Sequence, residues 1–147
     1  MRVPDQTIKE AIAYNLSGLR YGFGPDSVRV PVYDAFAEPE APHPHVVISS
    51  LSSSQQGAKS LNMYETRLSL QIRDRRINVG NATATDYIAD TIMQILLTGL
   101  PTGNNIAVSG FKVWVIELQS SPSATYEVKP YKYTEKNLIL TLKTEEL

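Results

Sequence analysis

The sequence has no cysteine and only two histidines. Disulfides and thiol chemistry are therefore excluded, and a structural zinc site would have to be completed by carboxylates. Long apolar runs are missing too: nothing approaches the roughly 18 residues of a membrane span. The opening "MRVPDQTIKE" lacks the apolar centre of a secretory leader, so a soluble protein made in the cytoplasm and not exported by a cleaved leader is expected. On that expectation the sequons at Asn15 and Asn81 are chance matches. An excess of either charge is absent as well. Fourteen Lys and Arg against fifteen Asp and Glu leave a net charge of -1, which supplies no long-range positive field to hold a phosphate backbone.

Catalytic signatures are equally scarce. Gly22 and Gly24 form a lone G-x-G that neither follows a strand nor opens a capped helix, and no G-K-[ST] occurs, so a phosphate loop is unsupported. The serines cluster in low-complexity stretches without a G-x-S-x-G elbow or a base at a suitable spacing. Asp86 and Asp90 lie four apart on one helical face, but with Thr83 and Gln94 as neighbours they read as a solvated side rather than an acid and base pair.

What is present is a chain of 147 residues, the size of one domain, with neither an internal repeat nor a linker. In "QTIKEAIAYNLSGL" the residues Ile8, Ala11, Ile12, Leu16 and Leu19 recur at helical spacing, with Lys9, Glu10 and Ser17 on the other side. Asp5 is expected to cap this helix and Gly18 to close it in the left-handed conformation. "RYGFGPDS" reads as a turn. "VRVPVY" reads as a short strand in which Pro31 cannot donate a ladder hydrogen bond, which predicts a sheet edge or a bulge. Pro39, Pro42 and Pro44 stiffen a polar connection before the β-branched run "HVVISSL", a strand; "SSSQQGAKSLN" then lacks apolar anchors and is expected to be a mobile surface loop.

"YETRLSLQIRDRR" alternates cleanly. Thr66, Leu68, Leu70 and Ile72 share one face and Glu65, Arg67, Ser69, Gln71, Arg73 and Arg75 the other, as in an antiparallel strand covered on one side. "NATATDYIADTIMQILLTG" returns to helical spacing through Ala84, Ile88, Ile92, Ile95 and Gly99, with Asn81 as the expected cap and Asp86 suited to the positive end of the helix dipole. "FKVWVIELQ" is apolar on both faces, Val113 and Val115 on one and Trp114, Ile116 and Leu118 on the other, which predicts a central strand. "TYEVKPYKY" and "NLILTLK" follow as two further strands, the latter alternating through Leu138, Leu140 and Leu142. The expected fold class is α+β, a mostly antiparallel twisted sheet with two amphipathic helices packed on one face.

Three clusters bear on function. His43 and His45 form an extended i, i+2 pair whose rings point one way, with Asp34, Glu38 or Glu40 as candidate co-ligands for a metal-dependent enzyme; with no further His or Cys, the pair reads as the solvated lead-in to a strand. "RDRR" places Arg73 and Arg75 on one face and Arg76 on the other, a salt-bridging or phosphate-contacting cluster or a solvated strand end. "YEVKPYKYTEK" interleaves Tyr126, Tyr131 and Tyr133 with Lys129, Lys132 and Lys136, a pattern that can stack single-stranded bases, so the alternative function is a small nucleic-acid-binding module built on residues 126–136. Tyrosine is equally favoured in strands and at protein interfaces, and the near-zero net charge favours that use.

In this order of elements the chain resembles the tail-terminator, or tail-completion, proteins of tailed bacteriophages. The likeness runs through the opening helix, "VRVPVYDAFAEPEAPHPHVVISS", the polar stretch, the alternating "RLSLQIRD", the second helix and the closing strands. His45 stands where relatives often carry an aromatic or apolar residue. The resemblance implies a structural virion protein rather than an enzyme, without cofactor or metal. Such a protein closes into a ring, typically of six, on the last ring of the tail tube. The implied partners are other copies of itself, the tail tube protein and the neck or head-completion protein, with DNA passing through the channel without sequence-specific binding and no membrane. The implied location is the virion, at the tail-neck junction, after assembly in the host cytoplasm. The residues expected to reach neighbouring subunits or the tube are Ser53, Ser54, Gln55, Gln56 and Lys59 in the polar stretch and Arg73, Arg75 and Arg76 at the end of the long strand.

Overall fold

A computed structural model describes residues 3–22, 24–56, 62–77, 83–97 and 106–147. Helix α1 (Asp5–Asn15) buries Ile8, Ala11 and Ile12 as the spacing predicts, and Leu16 and Leu19 continue the buried stripe beyond it. Its ends differ from expectation. Pro4 occupies the capping position and makes no side-chain cap, while Asp5 is already helical and its Oδ1 is buried without a hydrogen-bond partner. Gly18 does not adopt the left-handed conformation, because the helix has ended at Asn15; positive φ falls instead at Gly22, Gly110 and Ala35.

The segment expected to be a simple turn contains β1 (Arg20–Tyr21), which pairs with β2 (Val28–Arg29) in a small hairpin. The Arg20 guanidinium closes it by donating to the hydroxyl and the carbonyl of Ser27. Pro31 splits the expected single strand: β2 stays in the hairpin, and β3 (Val32–Asp34) joins the main sheet as an edge strand. That is where a residue without an amide proton belongs.

The main sheet runs β3, β4 (His45–Gln56), β5 (Met63–Ile77), β8 (Tyr131–Glu146), β6 (Phe111–Ser120), and β7 (Ser123–Val128) also pairs with β8. All pairs in it are antiparallel except β3 with β4. With α2 (Thr83–Leu96) this is an α+β fold. Residues from both helices, Ile8 and Ile12 of α1 and Ile88, Ile92 and Leu96 of α2, share one apolar cluster with Leu68, Leu70 and Ile72 of β5 and Leu138, Leu140 and Leu142 of β8. The caps expected at Asn81 and the stripe residue Gly99 lie outside the described residues.

Three strand expectations are corrected, each for a local reason. The polar stretch 52–56 is strand, not loop: β4 continues to Gln56, paired residue by residue with β5. A bulge between Ile48 and Ser50 shifts the inward parity from Val46 and Ile48 to Leu51 and Ser53, which hides the alternation from a period-2 reading. The remainder of that stretch, 57–61 with Lys59, lies outside the described residues. β6 is an edge strand, not the central one, with Trp114 45% and Leu118 42% exposed. Its bulge at Trp114 puts Val113 and Ile116, rather than Val113 and Val115, toward the core. The central place belongs to β8, which merges the expected "KY" strand end with "NLILTLK"; "TYEVKPYKY" is instead broken at Lys129-Pro130, the turn between β7 and β8.

Because β5 occupies one border of β8 along its whole length, β6 and β7 lie end to end on the other. They form one interrupted edge running from Phe111 to Val128.

Candidate functional site

The pairing of β5 with β8 brings together two of the clusters that are distant in sequence. Arg73 lies opposite Glu135, Arg75 opposite Tyr133, Arg76 opposite Lys132 and Ile77 opposite Tyr131. β7 extends this end of the sheet, with Tyr126 opposite Tyr133 and Glu127 opposite Lys132. The third cluster arrives from the other side: His45 opens β4 opposite Arg73, and the proline-rich segment before it lays His43 nearby. Between that segment and the sheet lies a recess of about 170 Å³, lined among others by Glu38, His43, His45, Arg75, Tyr133 and Glu135.

Neither histidine is a simple solvated lead-in. His45 is only 3% exposed, and its ring meets Tyr33 edge-on at 5.7 Å. Its Nδ1 is 2.9 Å from the carbonyl oxygen of Pro42. A carbonyl only accepts, so the neutral ring carries its proton on Nδ1 and leaves Nε2 as a bare acceptor. That Nε2 and the Nδ1 of His43 are both buried without a partner. The two ring centroids are 4.6 Å apart. Burial pulls the His43 pKa down to about 4, helped by His45 and Arg75, and Asp74 opposes the fall only in part. Burial also lowers that of His45, against the hydrogen bond to Pro42. Both rings are therefore neutral near pH 7. As for a metal, no group of three or more His, Cys, Asp or Glu side chains converges among the described residues.

Glu135 is the anchor of the polar wall. It accepts from Gln71 Nε2 at 3.0 Å and from the Tyr126 hydroxyl at 3.1 Å, and Arg73 Nε lies 3.9 Å away. Arg73 also donates to the Gln71 side-chain oxygen. Partial burial, and then the acceptance of its hydrogen bond by Glu135, raise the Tyr126 pKa above the usual phenol value. Arg76 points to the opposite face, where its Nε reaches the buried carboxylate of Asp74 at 2.9 Å. Arg75 instead lies over the Tyr131 ring, 4.3 Å from its centroid, and makes no carboxylate contact among the described residues. The tyrosines of the 126–133 stretch thus already have ring partners: Tyr126 stacks on Tyr133, Tyr131 carries Arg75. Lys136 is engaged with Asp86 of α2 at 3.0 Å.

The other expected interaction residues are elsewhere. Ser53 shares a 2.7 Å hydrogen bond with Thr66, and Gln56 donates to Ser54 and Glu65, all at the far end of the β4–β5 pair. Ser53 is paired with Thr66 and Gln56 with Met63, so seven to ten residues of β5 separate this group from Arg73, about 23–33 Å at ~3.3 Å per residue. Ser53–Gln56 and Arg73–Arg76 mark opposite ends of the sheet. Sequence reasoning placed Glu38 beside the histidines as a candidate co-ligand but missed Glu135, which lies within the 126–136 stretch without being singled out.

No family model matches the chain, and no characterised protein sequence does. In three dimensions it is similar to a chain of the virion of a native gene transfer agent particle, with a TM-score of 0.59 at 11% identity over 97% of this chain and 91% of that one. At that identity the likeness is one of fold.

Proposed function

We propose that this chain is a structural protein of a tailed-phage-like particle, and more specifically a tail terminator. In this reading a single domain spanning 1–147, with both helices on one face of the sheet, closes with copies of itself into a ring, six being the expected number. The ring caps the tail tube, ends its growth and joins it to the neck or head-completion protein at the tail-neck junction, with DNA passing through its channel. The role is one of assembly and not of catalysis.

The observation that carries the reading is the near end-to-end fold likeness to a chain from a virion particle. Its physical support is the separation of two polar contact groups at opposite ends of the sheet. A ring needs heterologous contacts, in which one surface of each copy meets a different surface of the next. Ser53, Ser54, Gln55 and Gln56 at one end and Arg73, Arg75 and Arg76 at the other are the proposed contacts with neighbours or tube; Lys59 belongs to the first group by sequence. Once a ring engages all subunits together, each contact with the tube can be weak.

The nucleic-acid-binding alternative draws less support, because Tyr126, Tyr133 and Tyr131 each already have one ring face taken, by the stack or by Arg75, and the net charge is near zero. The experiment is co-sedimentation of the purified protein with tail tubes of its own particle, followed by electron microscopy. Rings confined to one tube end support the reading. Tubes left bare, or decorated along their length, refute it.

A further inference from the structure

The recess beside Arg75 is not accounted for by ring assembly. Its wall contains the Arg75 guanidinium, which lies over the Tyr131 ring and has no carboxylate against it among the described residues. Glu135, in the same lining, is engaged elsewhere: it accepts hydrogen bonds from Gln71 and Tyr126 and lies 3.9 Å from Arg73 Nε. Glu38 stands exposed at the mouth, and Asp74 points through the sheet to Arg76. Across the recess two imidazoles, one of them 97% buried, each keep a polar nitrogen without a partner.

We propose that this recess is a binding site for an oxyanion, a phosphate or carboxylate group gripped by Arg75 and sensed by His43 and His45. Arg75 supplies a planar fork of donors suited to two oxygens at once. Tyr133, opposite Arg75 on β8 and in the same lining, adds a hydroxyl without a hydrogen-bond partner among the described residues. The histidines act through space rather than by contact, because their free nitrogens are sealed. With the site empty, Arg75 and Arg73 oppose a proton on His43. An anion beside Arg75 cancels part of that field, so its binding brings proton uptake with it and tightens as the pH falls toward the His43 pKa of about 4. Both dependences follow from one linkage. Arg75 is also one of the proposed assembly contacts, so the site is tested on the unassembled protein, where its outcome is independent of the ring.

The chain's two histidines make the test direct, because only two imidazole signals have to be followed. Histidine pKa values are measured by NMR in inorganic phosphate, in acetate and in chloride at matched ionic strength, for the wild type and for Arg75→Gln and Arg67→Gln. Arg67 lies on the same strand away from the recess and serves as the control. The expected result is a saturable rise of the His43 pKa from about 4, by half a unit or more in order of magnitude, absent in chloride, lost in Arg75→Gln and kept in Arg67→Gln. A rise with phosphate alone assigns the ligand as a phosphate group, and a rise with both anions as any small oxyanion. Shifts that are equal in all three salts, or unchanged in Arg75→Gln, overturn the proposal.

Discussion

Tyr126 and Tyr133 face each other across the β7–β8 pair, with ring centroids 5.0 Å apart and planes only 5° from parallel. The stack matters because every residue of β7 is exposed, so no buried side chain fixes that strand to the sheet. Cross-strand aromatic pairs contribute roughly 0.5–1.5 kcal/mol beyond their buried area. Tyr133→Ala is expected to lower stability in urea by about that much and to loosen the β7 amides in hydrogen exchange. Tyr126→Phe keeps the stack and removes only the hydrogen bond to Glu135, so its cost should be smaller, with β7 protection retained. Equal losses in both variants would assign the ordering of β7 to Glu135 instead.

The histidine pair sets a pH dependence of stability. Both folded pKa values lie below the ordinary 6.5, so between that value and about 4 the unfolded chain binds more protons than the folded one. The stabilisation is full above pH 6.5 and is lost progressively as the pH falls toward 4. Discounted for the partial exposure of His43, the loss is on the order of 1–2 kcal/mol. Urea titrations at pH 7, 5.5 and 4.5 check it. A His43→Gln, His45→Gln double variant should show a flatter profile over this interval; an identical slope would mean that other groups carry the dependence.

The core is predicted to be graded by strand position. Leu70 on β5 is fully buried between the helices and the sheet cluster, whereas Leu118 on edge strand β6 is 42% exposed. Leu70→Ala is expected to cost about 2–5 kcal/mol and Leu118→Ala less than about 1. Comparable losses at the two sites would indicate that β6 is covered in solution, as in an assembled ring edge, and the Leu118→Ala loss should then depend on protein concentration.

Nucleic acid is expected to bind weakly at most. In a mobility-shift assay at low salt, single-stranded DNA should give no tight complex, and Lys129→Ala, Lys132→Ala should change little. A saturable complex that weakens steeply with salt would revive the module built on residues 126–136.

Much of the fold is legible in the sequence where one period dominates. The stripe Ile8, Ala11, Ile12 and the alternation of Leu68, Leu70, Ile72 and of Leu138, Leu140, Leu142 each give their element directly, because one face is wet and the other dry. Legibility fails where a bulge changes parity. At Ser49 and at Trp114 an extra residue moves the inward positions by one, so a polar strand end reads as loop and an edge strand reads as central. The site is legible only as fragments. "RDRR", "YEVKPYKY" and the histidine pair stand out one by one, but their meeting depends on the register of β5 with β4 and β8, which no local pattern specifies. Glu135 carries no signal of its own until that register places it between Gln71, Arg73 and Tyr126.

The central claim is that copies of this chain close on one another, and electron microscopy of the purified protein tests it most directly. Closed rings with an open channel, of uniform size and with rotational symmetry near six, are the predicted result. Single particles of one subunit's mass, persisting at high protein concentration and with tail tubes present, would contradict it.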